Sequence, residues 1–337
     1  MLLSDFQYEL PQELIAQEPI YPRDASRLLV LHRASGRIEH RRFRDLGDYL
    51  KPGDVLVLND SRVYPARLIA RRATGARIEL LLLRRLDARV WEALASPGRR
   101  ARPGEPLTLS DGQTGILIRD RTDTGGRIVE FLGDEPVDAI LHRCGRMPLP
   151  PYIKADLKDQ ERYQTVYARE EGSAAAPTAG LHFTPEMLAE LERAGVAVAK
   201  VTLHVGLDTF RPIREECIEK HRMHCEEYEL LPEQADVING AAGRIVAVGT
   251  TSLRAIESAA DDAGRVRPGR RKTDLYVTPG YQFRVADALI TNFHLPGSTL
   301  LVLVSAFAGR ETVLAAYQEA IRLKYRFYSF GDAMLIL

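Results

Sequence analysis

Apolar and polar positions follow two different rhythms in this chain, and the change of rhythm divides it. Up to about residue 61 the pattern predicts a short helix at LPQELIAQ, with Pro11 where a first helical turn tolerates it. A hairpin RLLVLHRASGRIEHRRF follows, turning at Ser35 and Gly36, and then a strand DVLVLND. From Arg62 to about Arg146 short alternating runs succeed one another: ARLIARR, RIELLLLRR, RVWEALAS, LTLS, GILIR and RIVEFLG. Turn pairs at Pro97-Gly98, Pro103-Gly104 and Gly125-Gly126 separate them, which predicts a small antiparallel β-barrel. After MPLPPYI, helices such as TPEMLAELERAG, capped by Thr184 and ended at Gly195, alternate with strands such as VAVAKVTLHV. The expected fold class is therefore α/β: a large mixed α/β domain from discontinuous segments, 1–61 and 151–337, with an inserted small antiparallel β-barrel domain at 62–150.

Composition sharpens this only in places. A chain of 337 residues with 45% hydrophobic positions can bury one sizeable core and a smaller one. The apolar run STLLVLVSAFAG is too short to span a bilayer and reads as a buried helix, so no membrane segment is expected. An odd count of three cysteines and an opening without a secretory leader point to the cytoplasm. Lys+Arg and Asp+Glu both number 46, which excludes a global basic field. The stretch 62–150, however, holds sixteen arginines, no lysine and eleven acids. Such polarity would let one domain hold phosphates while the other does chemistry, and solvated charge is the plain alternative.

The common nucleotide and hydrolase fingerprints are missing, so the candidates are strand-end clusters. GSAAAPTAGLHFTPEM is a small-residue loop carrying His182 just before a helix start. RIVAVGTTSLRAIESAA runs a strand through Gly249, Thr250, Thr251 and Ser252 into a helix bearing Arg254, an arrangement suited to an anion. ALITNFHLPGSTLL sets His294 on a loop between apolar segments, and YRFYSFGDAMLIL reads as an aromatic-rich strand pair turning at Gly331 and Asp332. The run RVRPGRRK reads as a loop, with Arg270, Arg271 and Lys272 as candidate contacts to nucleic-acid phosphates. CIEKHRMHCEEY, if helical, would put Cys217, His221, His224 and Tyr228 on one face. Four ligands from one short segment rarely close a tetrahedron, so no metal is expected there.

Together PRDASRLLVL, LNDSRVYPARL, GSAAAPTAGLHFT, LHVGLDTFRP, HRMHCEEY, AVGTTSLRAIES, PGYQF, LITNFHLPGSTLL and YRFYSFGDAMLI resemble, in order and over essentially the whole chain, the S-adenosylmethionine:tRNA ribosyltransferase-isomerase family of queuosine biosynthesis. The resemblance implies a large mixed α/β domain plus a small β-barrel, and a cytoplasmic enzyme working as a monomer away from membranes. Its partners would be S-adenosylmethionine, as ribosyl donor, and tRNA carrying 7-aminomethyl-7-deazaguanine in the anticodon; no metal is implied. The reaction implied by the resemblance has a base take a proton from the carbon beside the sulfonium, after which the ribose opens and adenine leaves. The aminomethyl nitrogen then adds, and epoxide closure ejects methionine. The residues that match are His182, His221, His224, Glu226 and His294 for catalysis, with the histidines expected to titrate near neutrality, and Thr250, Thr251, Arg254 and Asp332 for S-adenosylmethionine. Cys225, where serine is common, and Asp208, where glycine is frequent, depart from the family pattern. Two other classes stay open: a metal-dependent hydrolase using Cys217, His221 and His224, and a non-enzymatic tRNA-binding protein.

Overall fold

The structure is a computed structural model that describes residues 1–123, 125–206, 213, 215–223 and 225–337. It forms two compact units, one of Met1–Arg62, Pro150–Glu170 and Ala176–Leu337, the other of Val63–Leu149 and Glu171–Ala175.

The large unit is organised by a nine-stranded mixed sheet. Its order is Gly269–Thr273, Glu226–Leu230, Ala197–Leu203, Val55–Asn59, Ile245–Val248, Ala288–Asn292, Ala333–Ile336, Arg27–His32 and Arg37–Arg42. Val55–Asn59 runs parallel to both its neighbours, and Ile245–Val248 runs parallel to Ala288–Asn292. Every residue of Val55–Asn59 and Ala288–Asn292 is buried, as expected for parallel strands covered on both faces. The carboxyl ends of these strands share one edge, the place where open α/β sheets bind ligands.

Local chemistry fixes the helices. Thr184 accepts from Met187 N at the start of Pro185–Arg193, and Ser298 caps Thr299–Ala308 by accepting from Leu301 N. The latter helix is buried almost all round, and among the described residues no single helix is long and apolar enough to cross a membrane. The smaller unit contains a closed antiparallel barrel, ordered Arg127–Phe131, Val90–Ser96, Arg77–Arg85, Arg67–Arg72, Pro106–Leu109 and Gly115–Arg121. Alternation explains it: Ile78, Leu80 and Leu82 point inward and their neighbours outward.

Four local expectations are corrected. LPQELIAQ is only a 3₁₀ turn at Gln12–Leu14, because Leu14 O and Ala16 N are taken by the backbone of Phe327. CIEKHRMHCEEY is not helical: a 3₁₀ turn at Ile218–Lys220 leads to the strand Glu226–Leu230. RVRPGRRK is no loop at its basic end, since Gly269–Thr273 is the edge strand paired with Glu226–Leu230. The terminal aromatic segment contributes a single strand, Ala333–Ile336, paired with Arg27–His32 and Ala288–Asn292 rather than with itself.

Candidate active site

A pocket of about 560 Å³, counting space open to solvent, lies within the large unit at the carboxyl edge of the sheet. Residues at the ends of three of its strands line it: Val205 after Ala197–Leu203, Gly249 to Thr251 after Ile245–Val248, and Thr291 to Leu295 around the end of Ala288–Asn292. Gly249 has φ +88°, left-handed backbone that a side chain resists, and this kink turns the strand directly into the helix Thr250–Ala259. The remaining walls come from Ala176 to Ala179, Tyr152, Leu300, Tyr328 and Ser329.

Hydrogen bonds hold these polar walls in place. Asn59 donates to Leu203 O at 3.0 Å and to Thr251 Oγ1 at 3.2 Å, so one buried amide ties two strand ends to the helix start. Thr178 Oγ1 donates to Asn292 Oδ1 at 2.8 Å, and Asn292 Nδ2 reaches Tyr328 O at 3.3 Å. A carbonyl only accepts, which fixes the orientation of the Asn292 amide. That amide therefore donates to His182 Nε2, 3.4 Å away, leaving the ring proton on Nδ1 to meet Ser26 Oγ at 2.8 Å. Thr291 Oγ1 lies 2.7 Å from His294 Nε2, while Tyr317 OH accepts from His294 N and Tyr8 OH donates to its carbonyl.

Both histidines are buried, and burial drives each pKa down to about 3; at His182 the Arg326 and Arg23 charges add to the effect. The expectation that they titrate near neutrality is thereby corrected. At pH 7 each is a neutral ring with one N–H and one lone pair, not an imidazolium. His294, Thr250 and Thr251 line the pocket, whereas His182 stands behind Asn292.

The other candidates are placed elsewhere. Glu226 and Arg254 form a buried ion pair, with Gly206 N donating to Glu226 Oε1 at 3.0 Å and Arg254 Nε to Leu275 O at 3.1 Å. Arg254 thus meets a carboxylate of its own chain, and it is not among the pocket walls. Asp332 is buried as an acceptor for Arg27 N and Arg326 N, both at 2.8 Å, and for Arg27 Nε at 3.2 Å. His221 packs edge-on against Tyr276, with ring centroids 5.4 Å apart. His224 and Asp208 lie outside the described residues. Cys217 Sγ donates to Glu219 Oε2, and among the described residues no three His, Cys, Asp or Glu side chains converge as metal ligands would. Arg270, Arg271 and Lys272 are exposed on the edge strand, with Arg270 3.0 Å and Lys272 3.8 Å from Glu227.

Reasoning from sequence missed Asn59, Thr178, Thr291 and Asn292 as individual residues. The signal was present in two of their segments, since a polar Asn closing an all-apolar strand, as in DVLVLND and ALITN, has no packing reason to be there.

Comparison with known proteins gives these walls a context. A family model described as "Queuosine biosynthesis protein" matches residues 3–336. The S-adenosylmethionine:tRNA ribosyltransferase-isomerases of Symbiobacterium thermophilum and Desulforamulus reducens are 58% and 57% identical over 341 residues, with all of this chain and all of each relative covered. The crystal structure of S-adenosylmethionine tRNA ribosyltransferase from Thermotoga maritima is 42% identical, with a TM-score of 0.56 over 99% of this chain and 100% of that one.

Proposed function

The chain belongs to the queuosine biosynthesis protein family, as one of its S-adenosylmethionine:tRNA ribosyltransferase-isomerases, and we propose that its pocket moves the ribosyl group of S-adenosylmethionine onto 7-aminomethyl-7-deazaguanine at the tRNA wobble position. The products are epoxyqueuosine in tRNA, free adenine and methionine. What carries this reading is identity of 57–58% along the entire length of the relatives. The pocket supports it. Its walls mix apolar faces, Ala176, Ala179, Val205 and Leu300, with the neutral donors and acceptors of Thr178, Thr250, Thr251 and Asn292, a lining suited to a nucleoside.

In this reading His294 meets the substrate as a neutral acceptor, and His182 is a positioning residue that orients Asn292 through Nε2. Thr250 and Thr251 hold the donor at the helix start. The Glu226–Arg254 pair braces the turn of helix beyond them, which replaces a direct grip of Arg254 on the methionine carboxylate as the first role to test. The protein is read as a cytoplasmic monomer.

Incubation with S-adenosylmethionine and precursor-containing tRNA, followed by mass analysis of the digested nucleosides and assay of free adenine, tests the reading. Adenine release that depends on that tRNA, with matching gain of the ribosyl-derived mass, is expected. Neither product with folded protein would reject it.

A further inference from the structure

Ser329, a wall of the first pocket, and His182, which stands behind Asn292, line a second, smaller cavity of about 250 Å³ counting space open to solvent. Arg23 and Arg162 form part of its wall, with Leu181 and Phe330. Both arginines are half-buried, and backbone carbonyls orient both: Arg23 donates to Leu181 O at 3.2 Å and to Glu161 O at 3.1 Å, and Arg162 to Ile20 O at 2.6 Å. Carbonyls fix a guanidinium without neutralising it. The nearby acids are engaged elsewhere, Glu161 with Arg62 at 2.6 Å and Asp159 as acceptor for Glu161 N at 3.0 Å. Arg162 Nε is buried with no hydrogen-bond partner among the described residues. Burial, and next the neighbouring Arg162 charge, push the Arg23 guanidinium below its ordinary range. Asp159 and Glu161 attract the Arg23 charge only from beyond ion-pair distance, so two like charges held together cost stability, and a bound anion would relieve that cost.

The surroundings indicate which anion. Tyr21 is 86% exposed, the most exposed of the large hydrophobic side chains, and the Arg162 guanidinium carbon lies 5.9 Å from its ring centroid. An exposed aromatic beside an unpaired arginine is how single-stranded nucleic acid is gripped, base on ring and phosphate on guanidinium. An amino-acid carboxylate would leave that ring without purpose.

We propose that this cavity is a phosphodiester subsite, in which Arg23 and Arg162 hold a backbone phosphate next to the reacting nucleotide and Tyr21 stacks a neighbouring base. The subsite rests on the reading of the pocket as the place where a tRNA base reacts. It shares Ser329 with that pocket, and its His182 is hydrogen-bonded to the pocket wall Asn292, so a phosphate held here keeps the attached nucleotide within reach of it.

The test titrates an anticodon stem-loop RNA carrying the precursor base against the full chain and against Arg162→Gln, Arg23→Gln and Tyr21→Ala, over a range of salt. Each arginine variant is expected to lose about tenfold or more in RNA affinity and to flatten the log–log salt slope by roughly 0.7. Tyr21→Ala is expected to lose affinity with its slope unchanged. A neutral methylphosphonate beside the precursor base should weaken binding to the parent and not to Arg162→Gln, which a merely structural arginine would not produce. S-Adenosylmethionine affinity should be unchanged throughout. Because Arg23 also ties two loops, Arg162→Gln with an unchanged thermal midpoint decides the matter. Parental affinity and slope in that variant overturn the subsite, and so does a loss confined to S-adenosylmethionine, which would give the cavity to a carboxylate. Adenine release by the parent, measured alongside, separates the two readings: turnover with a parental slope sinks the subsite alone, and a parent that neither binds this RNA nor releases adenine sinks both.

Discussion

In the barrel unit Arg67 pairs with Glu79 at 2.7 Å, Arg119 with Glu130 at 2.7 Å and Arg84 with Glu92 at 3.2 Å, each from one strand to its neighbour. The buried Arg127 gives its protons to the carbonyls of Gly98, Ala101, Gly125 and Gly126, holding two turns together. In the large unit Arg254 is buried against Glu226, while Arg23 and Arg162 have no carboxylate partner among the described residues. The region with the surplus of arginine therefore spends much of it on its own architecture. The large unit keeps guanidinium without a paired carboxylate beside a cavity. A count of charges along the sequence points to the barrel for RNA contact, and the partner geometry points to the large unit.

The sharpest way to break this contrast is at the buried pair. Removing one partner of a buried ion pair leaves the other charge desolvated and alone, so Arg254→Ala is expected to cost about 3–5 kcal/mol of stability. Arg254→Met with Glu226→Gln, which removes both charges, should recover most of that loss. Chemical denaturation of the two variants decides it. If Arg254→Ala unfolds with parental stability yet loses S-adenosylmethionine affinity, Arg254 is a direct carboxylate ligand after all.

How much of this was legible beforehand follows from the range of each interaction. Val55–Asn59, the Thr184 cap and the barrel strands are written in windows of a few residues, where period and capping chemistry act. The failures are long-range. Gln12–Leu14 stops after one turn because Phe327 claims its backbone, and no window around residue 12 contains that information. Arg254 and Glu226 are 28 residues apart, and Arg23 reaches carbonyls 138 and 158 residues away. Two of the strand-end clusters hold pocket walls, Gly249 to Thr251 and His294, but the pattern could not say that Asn292 stands between His182 and the cavity.

Buried histidines and paired carboxylates of the large unit respond to acid over different pH ranges. His182 and His294 have folded pKa values near 3 and an unfolded value of 6.5. Between those values the unfolded chain binds protons that the folded one refuses. Their contribution is therefore complete above about pH 6.5 and is lost as pH falls towards 3, at up to about 1.4 kcal/mol per pH unit for each ring. His204, also pushed down by burial, acts in the same sense. Carboxylates lowered by pairing, such as Asp54, lose their contribution only further down, and Asp60, pushed up by burial, acts in the opposite sense, so the difference between parent and a histidine variant from pH 6.5 to 5 reads the histidine. Denaturation midpoints across it should fall steeply for the parent and less so for His294→Gln. A parental slope in that variant would mean that His294 carries its proton in the folded state.

The smallest effect is expected in the barrel. Arg67 and Glu79 are each about 29% exposed, and water at that level of exposure screens most of their attraction. Arg67 also donates to Leu149 O at 3.0 Å, a bond that survives loss of the acid. Glu79→Gln keeps the side-chain shape and an acceptor for the guanidinium while removing the negative charge. It should change stability by less than about 1 kcal/mol, and the difference should shrink further at high salt. RNA binding sharpens the point. Freed from its acid, Arg67 gains nothing if the barrel arginines serve architecture, so Glu79→Gln should show the parental salt slope. A steeper slope and tighter RNA binding in Glu79→Gln would show that a pairing acid was suppressing a phosphate contact, and would return the barrel to the RNA-binding surface.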